Sequence, residues 1–485
     1  MNAFDYFFEN TSGLDKLFLA GKENVSFSDL YNSSLSLGSY LTGEFGTGKN
    51  MLLLSPNNRF FLTAYFAIIA SGNVCIPLDP NIEKENLSYI SRLTGPVLVF
   101  TTRDIGRKLE TGDVKCIFPD SINDTEYSSQ VMKSHDTDAE SCAEIIFTSG
   151  STGIPKGVMI SHKNLIANTA SIITYLKLTS DDRMLVVLPF YYCYGLSLLH
   201  THLRAGGSIV FNNSFIFLGG IMKNLLEYKC TGFAGVPSHF QILLRKSDNF
   251  KSTRFPDLKY VTQAGGKLAP IFIDEFRASH PEIKFIVMYG QTEATARLSY
   301  LPPELYEAKK GSMGKGIPGV ELRVVDEKGG DIKPGETGEV IARGDNIMIG
   351  YFADEEGTRN TIRNGWLYTG DLGTVDSEGY IFLTARKKEI IKVGGKRISP
   401  KEIEAVILEL PEVVDCTIEG VDDVLLGEAL KATVVVKNSD GKDTMTDKLK
   451  QHCAQHLALY KVPQIFELKE QLVISATGKK IKGKL

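Results

Sequence analysis

The chain has no two cysteines close enough to form a CxxC clip. Its seven cysteines stand apart at 75, 116, 142, 193, 230, 416 and 453. An odd number at such spacing argues against a disulfide framework and a zinc ribbon, and predicts reduced thiols in a cytoplasmic setting. Charge of one sign is missing too. The chain carries 54 Lys+Arg against 58 Asp+Glu, a net −4. That excludes a general attraction to nucleic acid or to anionic membranes. Long hydrophobic runs are absent. The most apolar stretch, 60–69, is about half the length a bilayer needs, so no membrane span is expected and a buried helix is. Asp5 and Glu9 occupy the region where a secretory leader would be basic and then apolar, so no leader is expected. There is no internal repeat and no low-complexity tract. His200 and His202 have no third ligand beside them and read as core rather than metal.

What is present is a phosphate-gripping loop. Thr148-Ser149-Gly150-Ser151-Thr152-Gly153-Ile154-Pro155-Lys156-Gly157 packs hydroxyls, glycines and a lysine into ten residues. It follows an apolar run (Ala143, Ile145, Ile146, Phe147) that reads as a buried strand. Glycines let backbone N–H groups approach an anion, and hydroxyls and a lysine add donors and charge. A nucleoside triphosphate is the expected ligand. Two other stretches imitate nucleotide motifs. Gly43 to Lys49 has P-loop spacing, but Asn50 replaces the magnesium-binding hydroxyl and 51–56 reads as a strand where a helix is required. Gly314 to Gly319 matches the dinucleotide fingerprint but runs into an alternating strand at 320–325. The loop at 148–157 is not a P-loop either, because Gly157 follows Lys156.

At 485 residues the chain exceeds what one core supports. Up to about 385, helical patterns alternate with short strands: 60–70 then 74–77, and 218–228 then 232–236. This predicts α/β layers with mainly parallel strands. From about 320 strands follow one another across Gly-rich turns (321–326, 339–343, 380–384), which predicts a β subdomain. Beyond the charged run Arg386-Lys387-Lys388-Glu389 comes a compact α+β unit. Its helix at 400–410 is expected to hold Glu402, Glu404 and Glu409 on its wet side. A strand at 430–436 and a helix at 447–459 complete it.

These segments together resemble the adenylate-forming superfamily of acyl- and aryl-CoA synthetases, peptide-synthetase adenylation domains and luciferases. The loop at 148–157 resembles its phosphate loop. Tyr289-Gly290-Gln291-Thr292-Glu293 looks like its adenine and magnesium segment. Gly338-Glu339 through Arg343-Gly344 to Met348, Gly350 and Tyr351 looks like the next. Trp366-Leu367-Tyr368-Thr369-Gly370-Asp371 resembles the ribose-binding aspartate segment. Arg386 through Ile390, with Gly394-Gly395 and Glu402, resembles the hinge segment. Thr477-Gly478-Lys479, with Leu485 six residues on, resembles the catalytic lysine segment. The resemblance implies a large N-terminal domain (1–387) that is α/β with a β subdomain, and a small mobile α+β domain (388–485) carrying the lysine. It implies ATP and Mg²⁺, with Glu293 as metal ligand. It implies that Thr148, Ser149, Gly150, Ser151, Thr152, Gly153 and Lys156 hold phosphate. Tyr289, with Gly290, Gln291 and Thr292, would meet adenine, and Gly265 and Gly266 would let backbone approach adenine and the acyl group. Asp371 and Arg386 would hold ribose, and Lys479 would act in adenylation. Lys388, two positions after the arginine, would be the hinge.

The implied chemistry is activation of a small carboxylic acid as its acyl-adenylate, then capture by a thiol. Charge develops on phosphoryl oxygens, so the first step needs positioning and positive charge. The thiol would be that of CoA, or alternatively the phosphopantetheine of an acyl carrier protein. A catalytically silent adenylate-binding protein is the reading from another class, disfavoured by the presence of Glu293, Asp371 and Lys479. Luciferase-type oxidation has no feature of its own in the sequence. Two departures matter. Ala385 stands where the family has glycine before the hinge arginine. The segment Leu188 to Gly195 has the acyl-CoA synthetase form, with no aspartate to grip an α-ammonium, so an α-amino acid is disfavoured. Tyr192 takes the place of the family's gating aromatic or histidine. The pocket candidates Tyr192, Cys193, Tyr194, His239 and Gly265 suit an aliphatic or aryl acid, with fatty acid metabolism as one setting.

Overall fold

The computed structural model describes residues 1–109, 114–121, 133–149, 154–215, 217–247, 249–423, 427–437 and 442–470. Among the described residues the strands form four sheets. In the largest, Lys284–Tyr289, Tyr260–Gln263, Gly232–Gly235, Arg183–Val186, Ser208–Phe211 and Leu17–Leu19 run parallel in that spatial order. Antiparallel strands close both edges. In the second, Cys142–Ser149, Val74–Pro77, Asn50–Leu54, Leu98–Thr101 and Lys115–Ile117 are parallel, and Pro155–Ser161 folds back antiparallel on the first of them.

The helix Arg59–Ala70 shows why these sheets form one body. Every residue from Phe60 to Ala70 is buried. A helix apolar all round must be covered all round. Its core cluster takes Met51 and Leu53 from one sheet and Met184, Val186 and Ile209 from the other. The P-loop look-alike is disposed of as the sequence predicts: Asn50–Leu54 is a strand. Gly46 and Gly48 have φ of +76° and +67°, a backbone that favours glycine and accounts for them as turn residues. The fingerprint look-alike likewise runs into the strand Val320–Val325.

That strand opens an antiparallel sheet with Gly338–Gly344, Trp366–Val375, Ile362–Arg363 and Ile381–Arg386, the expected β subdomain. A single 3₁₀ turn, Lys387–Glu389, separates Ile381–Arg386 from Ile391–Val393, the first strand of the fourth sheet. There the hairpin Val413–Asp423 with Gly427–Val436 is flanked by Ile465–Lys469 and by the helices Pro400–Leu408 and Lys442–His456. The chain is therefore α/β with a large N-terminal part and a small C-terminal α+β part.

One side chain is not where its helix pattern puts it. Glu404 is 3% exposed, whereas Glu402 and Glu409 face water. The neighbouring hairpin supplies the reason. The Ile418 amide and Lys401 Nζ donate to the Glu404 carboxylate at 3.3 and 2.7 Å, satisfying it inside the small domain. The last helix also begins and ends earlier than its pattern indicates, at 442 and 456.

The small part docks on the helix Pro237–Lys246. Arg245, 6% exposed, donates through Nη1 to the carbonyls of Leu408 and Leu410 at 3.2 and 3.0 Å, and also to that of Val413. Its Nη2 holds Glu275 at 2.7 Å. Gln241 Nε2 donates to Asp415 Oδ1 at 3.0 Å.

A second buried polar group lies between the two large sheets. Glu144, 1% exposed, accepts from the Tyr65 hydroxyl at 2.7 Å, and that hydroxyl is 2.7 Å from His200 Nε2. His200 stacks on Phe7 at 4.6 Å, so it is a core histidine. Burial pushes the Glu144 carboxyl up from 4.5 to about 7. The folded value lies above the unfolded one. The unfolded chain therefore loses this proton first, and stability falls as pH rises from about 4.5 to about 7. Glu144→Gln should remove that slope. Relative to the parent it should gain up to ~3 kcal/mol at pH 8 and almost nothing at pH 4. Paired denaturant melts at the two pH values check this, and an equal difference at both would count against it.

Candidate active site

The candidate phosphate loop lies between two paired strands. Cys142–Ser149 pairs with Pro155–Ser161 in a register that sets Thr148 opposite Lys156. Gly150, Ser151, Thr152 and Gly153 lie outside the described residues, as does the Ser149 side chain. Gly157 is small for a reason: a Cβ there would come within 2.8 Å of Ile145 and 3.0 Å of Phe147. Lys156 Nζ meets Asp354 Oδ2 at 2.7 Å and lies 5.0 Å from the Tyr351 ring. Both partners of that ion pair are about one-third exposed, so it contributes at most ~1 kcal/mol and leaves the ammonium available. The Lys156 bond, with the Gly357 amide, holds the Asp354 carboxyl below its ordinary range.

Tyr351 joins this end to Glu293. The strand Gly350–Tyr351 pairs with Val158 and Met159. The Tyr351 hydroxyl donates to Glu293 Oε1 at 2.8 Å. Burial, and then Glu293, push that phenol well up, so it remains a donor. Glu293 stands in the 3₁₀ turn Thr292–Ala294, and its carbonyl accepts from the Met348 amide. Among the described residues no cluster of three His, Cys, Asp or Glu could hold a metal. Mg²⁺ does not need one, since it binds one or two carboxylates together with substrate phosphates and water. Glu293, half-buried and with one oxygen engaged by Tyr351, fits that donor set.

The second cluster surrounds Asp371. Its strand pairs with Ile381–Arg386 so that Asp371 lies opposite Arg386. Arg386 Nε donates to Oδ1 at 2.7 Å, and the Tyr289 hydroxyl donates to Oδ2 at 2.6 Å. Asp371 raises the Arg386 pKa and, after burial, that of Tyr289. Each carboxylate oxygen keeps a lone pair for a further donor such as a sugar hydroxyl. Tyr289 is 8% exposed, so its ring is largely packed and its hydroxyl orients the aspartate. Glu339 braces the neighbourhood, accepting from the Gly370 amide at 3.1 Å and from Lys387 at 2.8 Å.

The acyl candidates gather where the helix Cys193–Ala205 begins. Tyr192 caps it, half-buried, its hydroxyl 2.8 Å from where a Gly265 Cβ would stand. Gly265 has φ of +83°, so only glycine fits on both counts. Gly266 accepts from Gln263 Nε2 at 2.8 Å. Gly290 allows the next close approach: a Cβ would fall 2.0 Å from the Ala296 carbonyl. Tyr194, 2% exposed, is fixed by Thr262 through Oγ1 at 2.8 Å. Cys193 Sγ lies 3.5 Å from Thr292 Oγ1. His239 is buried against Phe215 at 4.1 Å, its Nδ1 has no hydrogen-bond partner among the described residues, and burial lowers its pKa to about 3. It is three residues beyond Val236, which touches the Gly265 position.

Thr148, Lys156 and Glu293 are thus linked through Tyr351 and Asp354. Tyr289, Asp371 and Arg386 form one hydrogen-bonded set. Lys388 is exposed within the 3₁₀ turn, and Lys479 lies outside the described residues. Asp354 has no signal in the sequence, and Tyr351 is only part of a segment there with no role.

Comparison with known proteins identifies the family. The sequence model of the AMP-binding enzyme family matches residues 8–352, and that of the AMP-binding enzyme C-terminal domain matches 402–479. The oxalate–CoA ligase of Arabidopsis thaliana is 29% identical over 96% of this chain and 93% of its own length. The long-chain-fatty-acid–CoA ligase of Salmonella typhimurium is 28% identical over 96% and 90%. Among solved structures, ATP-bound MatB from Rhodopseudomonas palustris superposes with a TM-score of 0.88 at 26% identity, covering 99% of this chain and 97% of that one. Apo MatB reaches 0.79 with the same coverage. The o-succinylbenzoate CoA synthetase of Bacillus subtilis, with ATP and magnesium, gives 0.86 at 25% identity, covering 99% and 98%. Two family matches in chain order and a fold shared along nearly the whole length lead to one conclusion: the chain belongs to the AMP-binding enzymes, and it is an AMP-forming ligase.

Proposed function

We propose that the chain joins a carboxylic acid to the thiol of CoA through an acyl-adenylate. The observation that carries this furthest is the Tyr289–Asp371–Arg386 set, a carboxylate held in place with capacity left for ribose hydroxyls. Bound Mg²⁺ would neutralise charge on the ATP phosphates and polarise them. Around it, Glu293 would supply a fixed carboxylate, and Thr148, Lys156 and the loop between them would orient phosphate. Tyr192 and Gly265 would bound the acid, and Lys479 would align its carboxylate with the α-phosphorus. Exclusion of water would protect the mixed anhydride until the thiol arrives.

CoA is favoured over carrier-protein phosphopantetheine because the curated relatives named above are CoA ligases. Their acids range from oxalate to long-chain fatty acids, so the names do not select a substrate. No helix among the described residues is long and apolar enough to cross a membrane. The test is acid-dependent pyrophosphate exchange, followed by thiol transfer with CoA and, separately, with phosphopantetheinylated carrier protein. Absence of exchange with every acid would sink the enzyme reading, and transfer to the carrier alone would replace CoA.

The proposed domains are 1–387 and 388–485, with Lys388 as pivot. The superposition on ATP-bound MatB, better than on its apo form, supports the adenylating arrangement in this structure. Proline at 388 fixes its own φ and disfavours the helical φ/ψ that Lys387 holds in the 3₁₀ turn. Lys388→Pro should therefore impair adenylation more than thiol transfer. If both half-reactions stay near wild type, Lys388 is not the pivot.

A further inference from the structure

Among the described residues Arg297 is the largest fully buried side chain, at 1% exposure. It stands four residues after Glu293, and the chain between them folds back under the adenine segment. The Leu298 amide bonds to the Tyr289 carbonyl at 2.8 Å, and a Cβ on Gly290 would come 2.8 Å from Arg297 Cα. Asn346 and Asn168 donate to the Arg297 carbonyl at 2.7 and 3.3 Å, so its backbone is fixed. The guanidinium lies 4.6 Å from the centre of the Tyr194 ring. It is close enough to Tyr192, Tyr194 and Tyr175 to lower all three phenol pKa values against the larger effect of burial. Two of these three tyrosines are candidates for the acyl pocket.

What the guanidinium lacks is an anion. Its Nε has no hydrogen-bond partner, and among the described residues no carboxylate lies within ion-pair distance. Arg245, also buried, shows the usual arrangement, with Glu275 at 2.7 Å and three carbonyls. Arginine stays charged in any protein interior, and a buried charge without a counter-ion is unfavourable. The Tyr194 face offsets only part of that. One arm of the fork bonds Tyr175, and the rest lies beside the acyl-pocket candidate Tyr194; such a planar set of N–H donors matches one ligand chemistry above others, a second carboxylate.

We infer that Arg297 selects an acid carrying a second anionic group, with the simplest substrate a dicarboxylate whose far carboxylate pairs with this guanidinium. This rests on the proposed acid–CoA ligation and names its substrate class. The aliphatic or aryl frame suggested by the tyrosines then describes the spacer between the two carboxylates.

The experiment compares straight-chain dicarboxylates with monocarboxylates of equal length in pyrophosphate exchange, for the full chain and for Arg297→Leu and Arg297→Lys. The parent should prefer a dicarboxylate. Arg297→Leu should cut kcat/KM for that acid about 100-fold or more, chiefly through KM, while the matched monocarboxylate is unchanged or improved. Arg297→Lys should retain part of the preference. The ligand-free melting temperature of Arg297→Leu should not fall, because an unpaired buried charge has been removed. A purely structural arginine would instead lower the melt and weaken all acids alike, which overturns the proposal. Exchange with monocarboxylates only overturns it while leaving the ligase reading intact. Exchange with no acid at all removes both.

Discussion

Lys479→Ala should slow acyl-adenylate formation by about 10²–10³-fold and leave thiol transfer from supplied acyl-adenylate within a few-fold of wild type. The attacking carboxylate and the α-phosphate are both anionic, so bringing them together needs a cation between them at that step alone. The assignment stands on the spacing Thr477-Gly478-Lys479, since nothing else distinguishes this lysine from Lys480, Lys482 and Lys484. Measuring the two half-reactions separately on one preparation decides it. Equal loss in both would refute the division of labour, and normal adenylation would remove Lys479 from the site.

Glu293→Gln should lower pyrophosphate exchange by about 100-fold at ordinary magnesium, with partial recovery as magnesium is raised. Gln keeps an acceptor for the Tyr351 hydroxyl, so the turn Thr292–Ala294 should survive and the melt should change little. What is lost is the negative charge that a hard cation requires. Tyr351→Phe serves as the comparison. It keeps the charge and loses only the orienting bond, so its effect should be far smaller. Full activity of Glu293→Gln at low magnesium would mean that the residue is structural.

What could be read from the sequence was what lies close along the chain. The loop at 148–157 and the segments ending in Glu293 and Asp371 are contiguous strings whose residue types point to a chemistry. The buried helix Arg59–Ala70 follows from composition alone, because a helix apolar on every side has one solution. Pairings across the chain were out of reach. Lys156 and Asp354 are 198 positions apart, and no periodicity connects them. Tyr289 was read as a ring against adenine, and only the fold reveals its hydroxyl on Asp371, 82 residues away. Glu404 was misplaced for the same reason. Helix spacing puts it on one face, but whether that face is wet depends on the hairpin that brings Ile418 beside it. Arg297 gave no signal, since an arginine after a turn is ordinarily solvated.

The docking of Arg245 bears on timing. Three carbonyls of the small domain converge on one buried Nη1, with Glu275 on the other side of the fork. If the small domain turns between half-reactions, this guanidinium must give up Leu408, Leu410 and Val413 together; the two N–H groups of Nη1 are shared among the three carbonyls, and a full charge-assisted bond of this kind is worth about 1.5–3 kcal/mol. They cannot be released gradually, because all three acceptors belong to the short stretch 408–413. Such a clasp makes the protein dwell in one orientation and leave it abruptly. The pace of the whole cycle would then be set by an unclasping event far from the reacting atoms, and the anhydride would stay covered for as long as the clasp holds.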